Sequence, residues 1–260
     1  MTGAGDLLET IVAAARASAS VREARLPAAR LAITRRPAGE RFVRALRETP
    51  APRVIAECKR RSPSRGILRR EYEPASHAAA YAAAGAAAIS VLTEPTFFDG
   101  HPEHLRAVRA AVDLPLLRKD FIVTEYQVHE AAALGADAVL LIAGALDDAS
   151  LRRLHGLASS LGLASLVEVH DRDELDRAVD AGAGIIGVNS RNLRTLAVYL
   201  ELFEHLAPHL PAGTIAVAES GIRTAADLRR LATLGYSAFL VGERLIAQPD
   251  PGAALRELRG

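Results

Sequence analysis

The chain has 260 residues, half of them hydrophobic, with a formal net charge of +1 and a single cysteine. That length is generous for an ordinary domain but suits one α/β barrel, and the apolar share supplies a core without disulfides or metal. Near-neutral charge gives no electrostatic reason for a nucleic-acid or acidic-membrane partner, and one cysteine excludes an internal disulfide or a multi-cysteine metal site and suits a reducing cytoplasm.

The opening "MTGAGDLLETIVAAARASAS" has an early acidic residue and no uninterrupted apolar core, so it reads as an amphipathic helix, not a signal peptide. No stretch approaches the roughly 18 uncharged apolar residues of a membrane span. Residues 1–50 are expected to form a helical extension that caps the same domain. Past residue 50, eight short apolar runs follow in a regular rhythm: 53–59, 88–93, 114–120, 138–144, 164–170, 184–190, 215–220 and 238–243. Each is strand-length and rich in Val, Ile and Leu, as a parallel sheet covered on both faces requires. Helical patterns fill the gaps, and several end in Gly-Ala just before the next run, a C-cap signal. "TAADLRRLATLG" starts on Thr224 as N-cap and closes at Gly235. Eight strand–helix units over residues 51–260 predict an α/β fold, a single (β/α)8 TIM barrel with an N-terminal helical extension. An open doubly wound sheet would usually have fewer strands and less even spacing.

Active sites of such barrels lie at the C-terminal ends of the strands. There the sequence places Glu57, Lys59, Thr93, Glu94, Lys119, Asp120, Glu168, His170, Asn189, Glu219, Ser220 and Glu243. Strand alternation puts Ile55, Glu57 and Lys59 on one face and Val54, Ala56 and Cys58 on the other. If the charged face points into the mouth, Cys58 faces the helices as inert packing. Of 32 cationic Lys and Arg side chains only two are lysine, Lys59 and Lys119, and both fall at strand ends. Unlike arginine, lysine can have its pKa lowered by burial or a neighbouring cation, and so donate and recover a proton. Two lysines and two glutamates in one pocket make either an acid–base set or a buried ion-pair network that holds the barrel together.

"ESGI" and "VGE" end strands seven and eight, where barrels commonly build phosphate sites from backbone N–H groups. Gly221 and Gly242 would let the backbone approach an anion, and Ser62 of "SPSRG" could add a hydroxyl. Together these features favour a phosphorylated small molecule as ligand. The histidines form no metal-binding pattern, and His170 is expected to be a solvent-facing loop residue.

The segments "IAECKRRSPSRG", "SVLTEPTFFDG", "LPLLRKDFIVTEYQVHEAAALGADAVLLI", "LVEVHD", "GIIGVNSRNLRT", "AESGI" and "FLVGERL" closely resemble the indole-3-glycerol-phosphate synthase family of tryptophan biosynthesis, in order and spacing. The resemblance implies cofactor-free ring closure of 1-(2-carboxyphenylamino)-1-deoxyribulose 5-phosphate with loss of carbon dioxide and water. It assigns Lys119 as the acid at the ribulose carbonyl oxygen and Lys59 as holder of the substrate carboxylate and donor in the dehydration. Glu168 is then base or proton relay, Glu57 orients the two lysines, and Asn189 bonds sugar hydroxyls or a developing oxyanion. Glu219 is a further polar contact. Ser62, Ser220, Gly221 and Gly242 bind phosphate, Arg191 is a cation above the pocket, and Leu92, Phe98, Phe121 and Leu140 wall the anthranilate ring. The division of acid and base roles among Lys59, Lys119 and Glu168 stays open. So do two other readings: another phosphate-binding barrel such as phosphoribosylanthranilate isomerase, which would use a cysteine, and a non-catalytic phosphate-binding barrel. A cytoplasmic monomer is expected. Three positions depart from the family pattern: Cys58, His101 after the glycine of "FFDG", and Arg244 beside the phosphate loop.

Overall fold

The computed structural model describes residues 6–260. Eight parallel strands close into a barrel: β1 (Val54–Cys58), β2 (Ala88–Leu92), β3 (Leu116–Lys119), β4 (Ala138–Ile142), β5 (Ala164–Val169), β6 (Ile185–Asn189), β7 (Ile215–Glu219) and β8 (Ala238–Val241). Each pairs with its sequence neighbour, and β8 returns to β1 to complete the ring. All eight expected runs are strands, trimmed by one to three residues at their ends. The trimmed residues, Lys59, Thr93, Asp120, His170 and Ser190 among them, begin the loops at the mouth.

Burial explains the composition of the strands. All of β1, β2, β4, β6, β7 and β8 is buried, because one face fills the barrel and the other meets helices. The register then aligns the polar ends: Leu92 lies beside Lys119, Ile142 beside Glu168, and Asn189 beside Glu219. Helix Ala225–Thr233 starts with Thr224 in a reciprocal capping box with Asp227, and Gly235 after it takes φ +97°.

Two helices precede β1: α1 (Leu7–Arg25) and α2 (Gly39–Glu48). Residues 1–5, the start of the segment expected as amphipathic helix, lie outside the described residues. Arg22 of α1 grips Glu130 at 2.7 and 3.1 Å, and Asp6 pairs with Arg194 in the loop after β6. Ile11 thereby reaches the mouth of the barrel. α2 serves the opposite end: Gly39 N–H donates to Gly162 O at 2.8 Å, just before β5, and Phe42 and Leu46 are fully buried. The extension therefore touches both ends of the barrel. After β1 the loop forms a short hairpin, Arg61–Ser62 against Gly66–Ile67, which alternation had not indicated. No helix among the described residues is long and apolar enough to cross a membrane.

Candidate active site

Lys119 ends β3 with its Nζ between two carboxylates, 2.6 Å from Glu168 Oε2 and 2.8 Å from Glu219 Oε2. Neighbouring Arg118 points the other way, as strand alternation requires, and is sealed outside the barrel by Asp120 at 2.9 Å and Glu130 at 2.7 Å. Two strands along the ring, at the end of β1, Lys59 Nζ pairs with Glu57 Oε1. Glu57, Glu168 and Glu219 are each no more than 2 % exposed. Carboxylates so buried persist only when paired, so the two lysines and three glutamates form one interdependent set.

The charges divide unevenly within that set. Burial alone would lower the Lys119 pKa, but Glu168 and Glu219 outweigh it and hold the ammonium well above its ordinary value. The lowering of which a buried lysine is capable does not occur here, because the carboxylates of Glu168, Glu219 and Glu57 act on the amine. Burial pushes Glu168 up, yet Lys119 and His170 overcome that and bring it below the usual carboxylate range. Glu219 has the same burial with Glu168 as an anionic neighbour, and moves up instead. Two carboxylates share one ammonium, and the proton of the pair favours Glu219.

These groups line a cavity of about 760 Å³, and every residue to which the family resemblance gave a role borders it: Glu57, Lys59, Ser62, Leu92, Phe98, Lys119, Phe121, Leu140, Glu168, Asn189, Arg191, Glu219 and Ser220, with Gly221 and Gly242; Thr93, Glu94 and His170, also at strand ends, do not. Phe98 and Phe121 stand 6.1 Å apart, centroid to centroid, on the apolar wall. Glu94 holds Phe98 there by accepting the N–H groups of residues 96, 97 and 98. Asn189 Oδ1 accepts Arg191 N–H at 3.0 Å, and the Arg191 guanidinium lies 3.6 Å from Glu243. Ser220 and Gly221 both take positive φ, +68° and +72°, which turns this loop sharply off β7.

Some expectations change. His170 is not a solvent-facing loop residue: its ring lies between Glu168 and Glu174, at 3.3 and 3.0 Å. Glu57 bonds Lys59 alone, and Glu219, expected as a peripheral contact, is a direct partner of Lys119. Gly242 has a second reason to be glycine, because a Cβ there would collide with the Glu57 carboxylate. Sequence reasoning missed Ile11, Arg65, Val198, Leu200 and Ile222 as lining residues. Arg65 pairs with Glu243 at 2.6 Å, and its position beside Ser62 was the available signal. Gly187 was also missed; it leaves the room that Glu219 Oε1 occupies.

Of the departures, Cys58 is fully buried with Sγ 3.8 Å from Pro74 O in the helix layer, away from the cavity. Burial and then Glu57 push its thiol pKa far up. His101 caps the next helix by accepting Glu103 N–H at 3.2 Å, the service a serine would give. Arg244 lines the cavity and is tied back to Arg223 O and Glu257, each at 3.2 Å.

The family model for indole-3-glycerol phosphate synthase matches residues 8–258. The chain belongs to the indole-3-glycerol phosphate synthase family. An indole-3-glycerol phosphate synthase of Nocardioides sp. (strain ATCC BAA-499 / JS614) is 58% identical over 80% of each chain. One from Mycolicibacterium gilvum is 48% identical over 98% of this chain and 94% of its own. Among solved structures, thiamine phosphate pyrophosphorylase from Pyrococcus furiosus aligns with a TM-score of 0.59 at 21% identity, over 80% of this chain and 93% of that one. At that identity the likeness speaks for the barrel alone. Membership makes the chain a carboxy-lyase of tryptophan biosynthesis.

Proposed function

We propose that this cavity closes the pyrrole ring of 1-(2-carboxyphenylamino)-1-deoxyribulose 5-phosphate through its two lysines and buried glutamates. The observation that carries the reading is Lys119 Nζ held between Glu168 and Glu219 at 2.6 and 2.8 Å, with the Lys59–Glu57 pair lining the same apolar-walled pocket. The aromatic carbon bearing the carboxylate attacks the ribulose C2 carbonyl carbon, and Lys119 gives the carbonyl oxygen a proton as charge develops there. Carbon dioxide leaves, and its bonding pair restores the aromatic ring. Lys59, which holds the carboxylate during closure, then protonates the new hydroxyl. Water departs as Glu168 takes a proton from the adjacent carbon, giving the indole.

Asn189 bonds the sugar oxygens and Arg191 sits above them. Ser62, Ser220, Gly221 and Gly242 bind the phosphate, and Leu92, Phe98, Phe121 and Leu140 sandwich the anthranilate ring. A cationic Lys119 suits this work, because an ammonium held between carboxylates is a preorganised donor and not a base. Residues 1–50 act as part of the same catalytic unit, and the protein works as a cytoplasmic monomer. Turnover of synthetic substrate, followed by indole fluorescence, tests the reading. Lys119→Met should fold normally by circular dichroism and form no product; turnover at the unmodified rate would remove Lys119 from the chemistry.

A further inference from the structure

His170 follows β5 directly and is not part of the acid–base set described above. Its side chain is 12% exposed. Nε2 faces Glu168 Oε1 at 3.3 Å, while Nδ1 lies 3.0 Å from Glu174 Oε2. Glu174 is itself fixed: the same Oε2 accepts His170 N–H at 2.8 Å, and its own N–H donates to Asp171 at 2.8 Å. Gly144 leaves room for the Glu174 carboxylate, since a Cβ there would overlap Oε1.

Ionised carboxylates only accept hydrogen bonds. Nδ1 is within hydrogen-bonding reach of Glu174, whereas Nε2 stands 3.3 Å from Glu168 Oε1 as an ion-pair contact not aligned as a hydrogen bond. A neutral ring would turn a lone pair toward one of the two carboxylates, so only the imidazolium suits both. Glu168 thus has a cationic group on each side: the His170 ring in 3.3 Å contact with Oε1, and Lys119 hydrogen-bonded to Oε2 at 2.6 Å. Glu219 has Lys119 alone, and its Oε1 finds no hydrogen-bond partner among the described residues. Across a second cavity of about 220 Å³ that His170 also lines stand the titratable groups Tyr199, Glu201 and His205.

We propose that His170 is a positioning residue for Glu168: an imidazolium, clamped between Glu168 and Glu174, that keeps the base carboxylate ionised and leaves the shared proton to Glu219. The proposal rests on the reading of Glu168 as base. Burial would by itself lower the pKa of the ring, but Glu168 and Glu174 prevail and raise it to about 10. The clamp therefore stays charged throughout the range in which Glu168 would titrate.

The test is the pH profile of kcat and KM for the unmodified protein, His170→Ala, His170→Asn and Glu168→Gln, each checked for folding by circular dichroism. A base works above its own pKa, and removing a nearby cation raises a carboxylate pKa by about one unit or more. The acidic limb of kcat should move up by at least one pH unit in both His170 variants. On that limb their rate should fall about tenfold, with KM within twofold and kcat recovering at alkaline pH. A rate loss equal at all pH values, or an unshifted limb, would overturn the proposal. If Glu168→Gln is inactive while the His170 variants match the unmodified protein, only the His170 role fails; if Glu168→Gln turns over normally, the base assignment itself has failed. A readout free of activity is 15N NMR of the imidazole at pH 8, with the His170 signals assigned from their loss in His170→Asn. Two protonated nitrogens are expected, and a neutral ring would overturn the clamp.

Discussion

Gly187→Ala should disable the site without touching a charged residue. Gly187 lies in the middle of β6, fully inside the barrel wall, and its φ is not in the left-handed region, so alanine meets no backbone penalty. The added Cβ would stand well inside contact distance of Glu219 Oε1, and 3.2 Å from both Glu219 Cδ and Leu166 Cδ1. Carbon pairs rest at about 3.5–4.0 Å, so the carboxylate must retreat, its oxygen by roughly an ångström. The Lys119–Glu219 contact of 2.8 Å would then open beyond the hydrogen-bonding range of about 3.2 Å. Misplacement on that scale costs about 100-fold in kcat, or about 2.7 kcal/mol of transition-state stabilisation. Overpacking adds about 1–3 kcal/mol of destabilisation, a Tm loss of about 2–10 °C at this chain length. The decisive assay is a cycle with Glu219→Ala, which removes the carboxylate the methyl strikes. In that background Gly187→Ala should cost little further kcat. Additive losses, or an unaltered kcat in the single variant, would refute the steric argument.

Three further outcomes are expected. Lys59→Arg should keep substrate binding within a few-fold while kcat falls at least tenfold, since charge remains and the compact, proton-donating amine does not; unaltered kcat would reduce Lys59 to a counter-ion. Cys58 should resist thiol-specific disulfide reagents at pH 8 in the native protein and react fully in denaturant, because its pKa is held far up and its Sγ is buried; rapid native labelling would contradict the outward-facing β1 alternation. The stabilising contribution of His170, with a folded pKa of about 10 against about 6.5 unfolded, is fully present below pH 6.5 and lost as pH rises through 10. The gap in unfolding free energy between the unmodified protein and His170→Asn, measured by urea titration, should therefore narrow from pH 6.5 to pH 10.

The barrel was legible because its strands are buried on both faces, which leaves apolar runs that no other element mimics at this spacing. Lys59 and Lys119 were legible for a compositional reason: arginine occupies the other cationic positions, so an ammonium marks a place where a guanidinium does not serve. What escaped was mutual arrangement across the barrel. That Glu219 and not Glu57 grips Lys119 depends on β6 being thin at Gly187, a gap 32 residues away in sequence from the carboxylate that fills it. Glu57 similarly occupies space left by Gly242 on β8's trailing loop. Gly242 sits where a phosphate-binding explanation comes first to mind and Gly187 in mid-strand, yet each serves as a slot for a carboxylate. His170 escaped for the converse reason. Its neighbours Glu168 and Glu174 were in plain view at i−2 and i+4, but a strand end and a helix start do not share a period, and only their junction turns the three side chains toward one another. The charge pattern of the site therefore arises from close strand-to-strand fit: two glycines admit two carboxylates, and these, with Glu168, keep Lys119 charged.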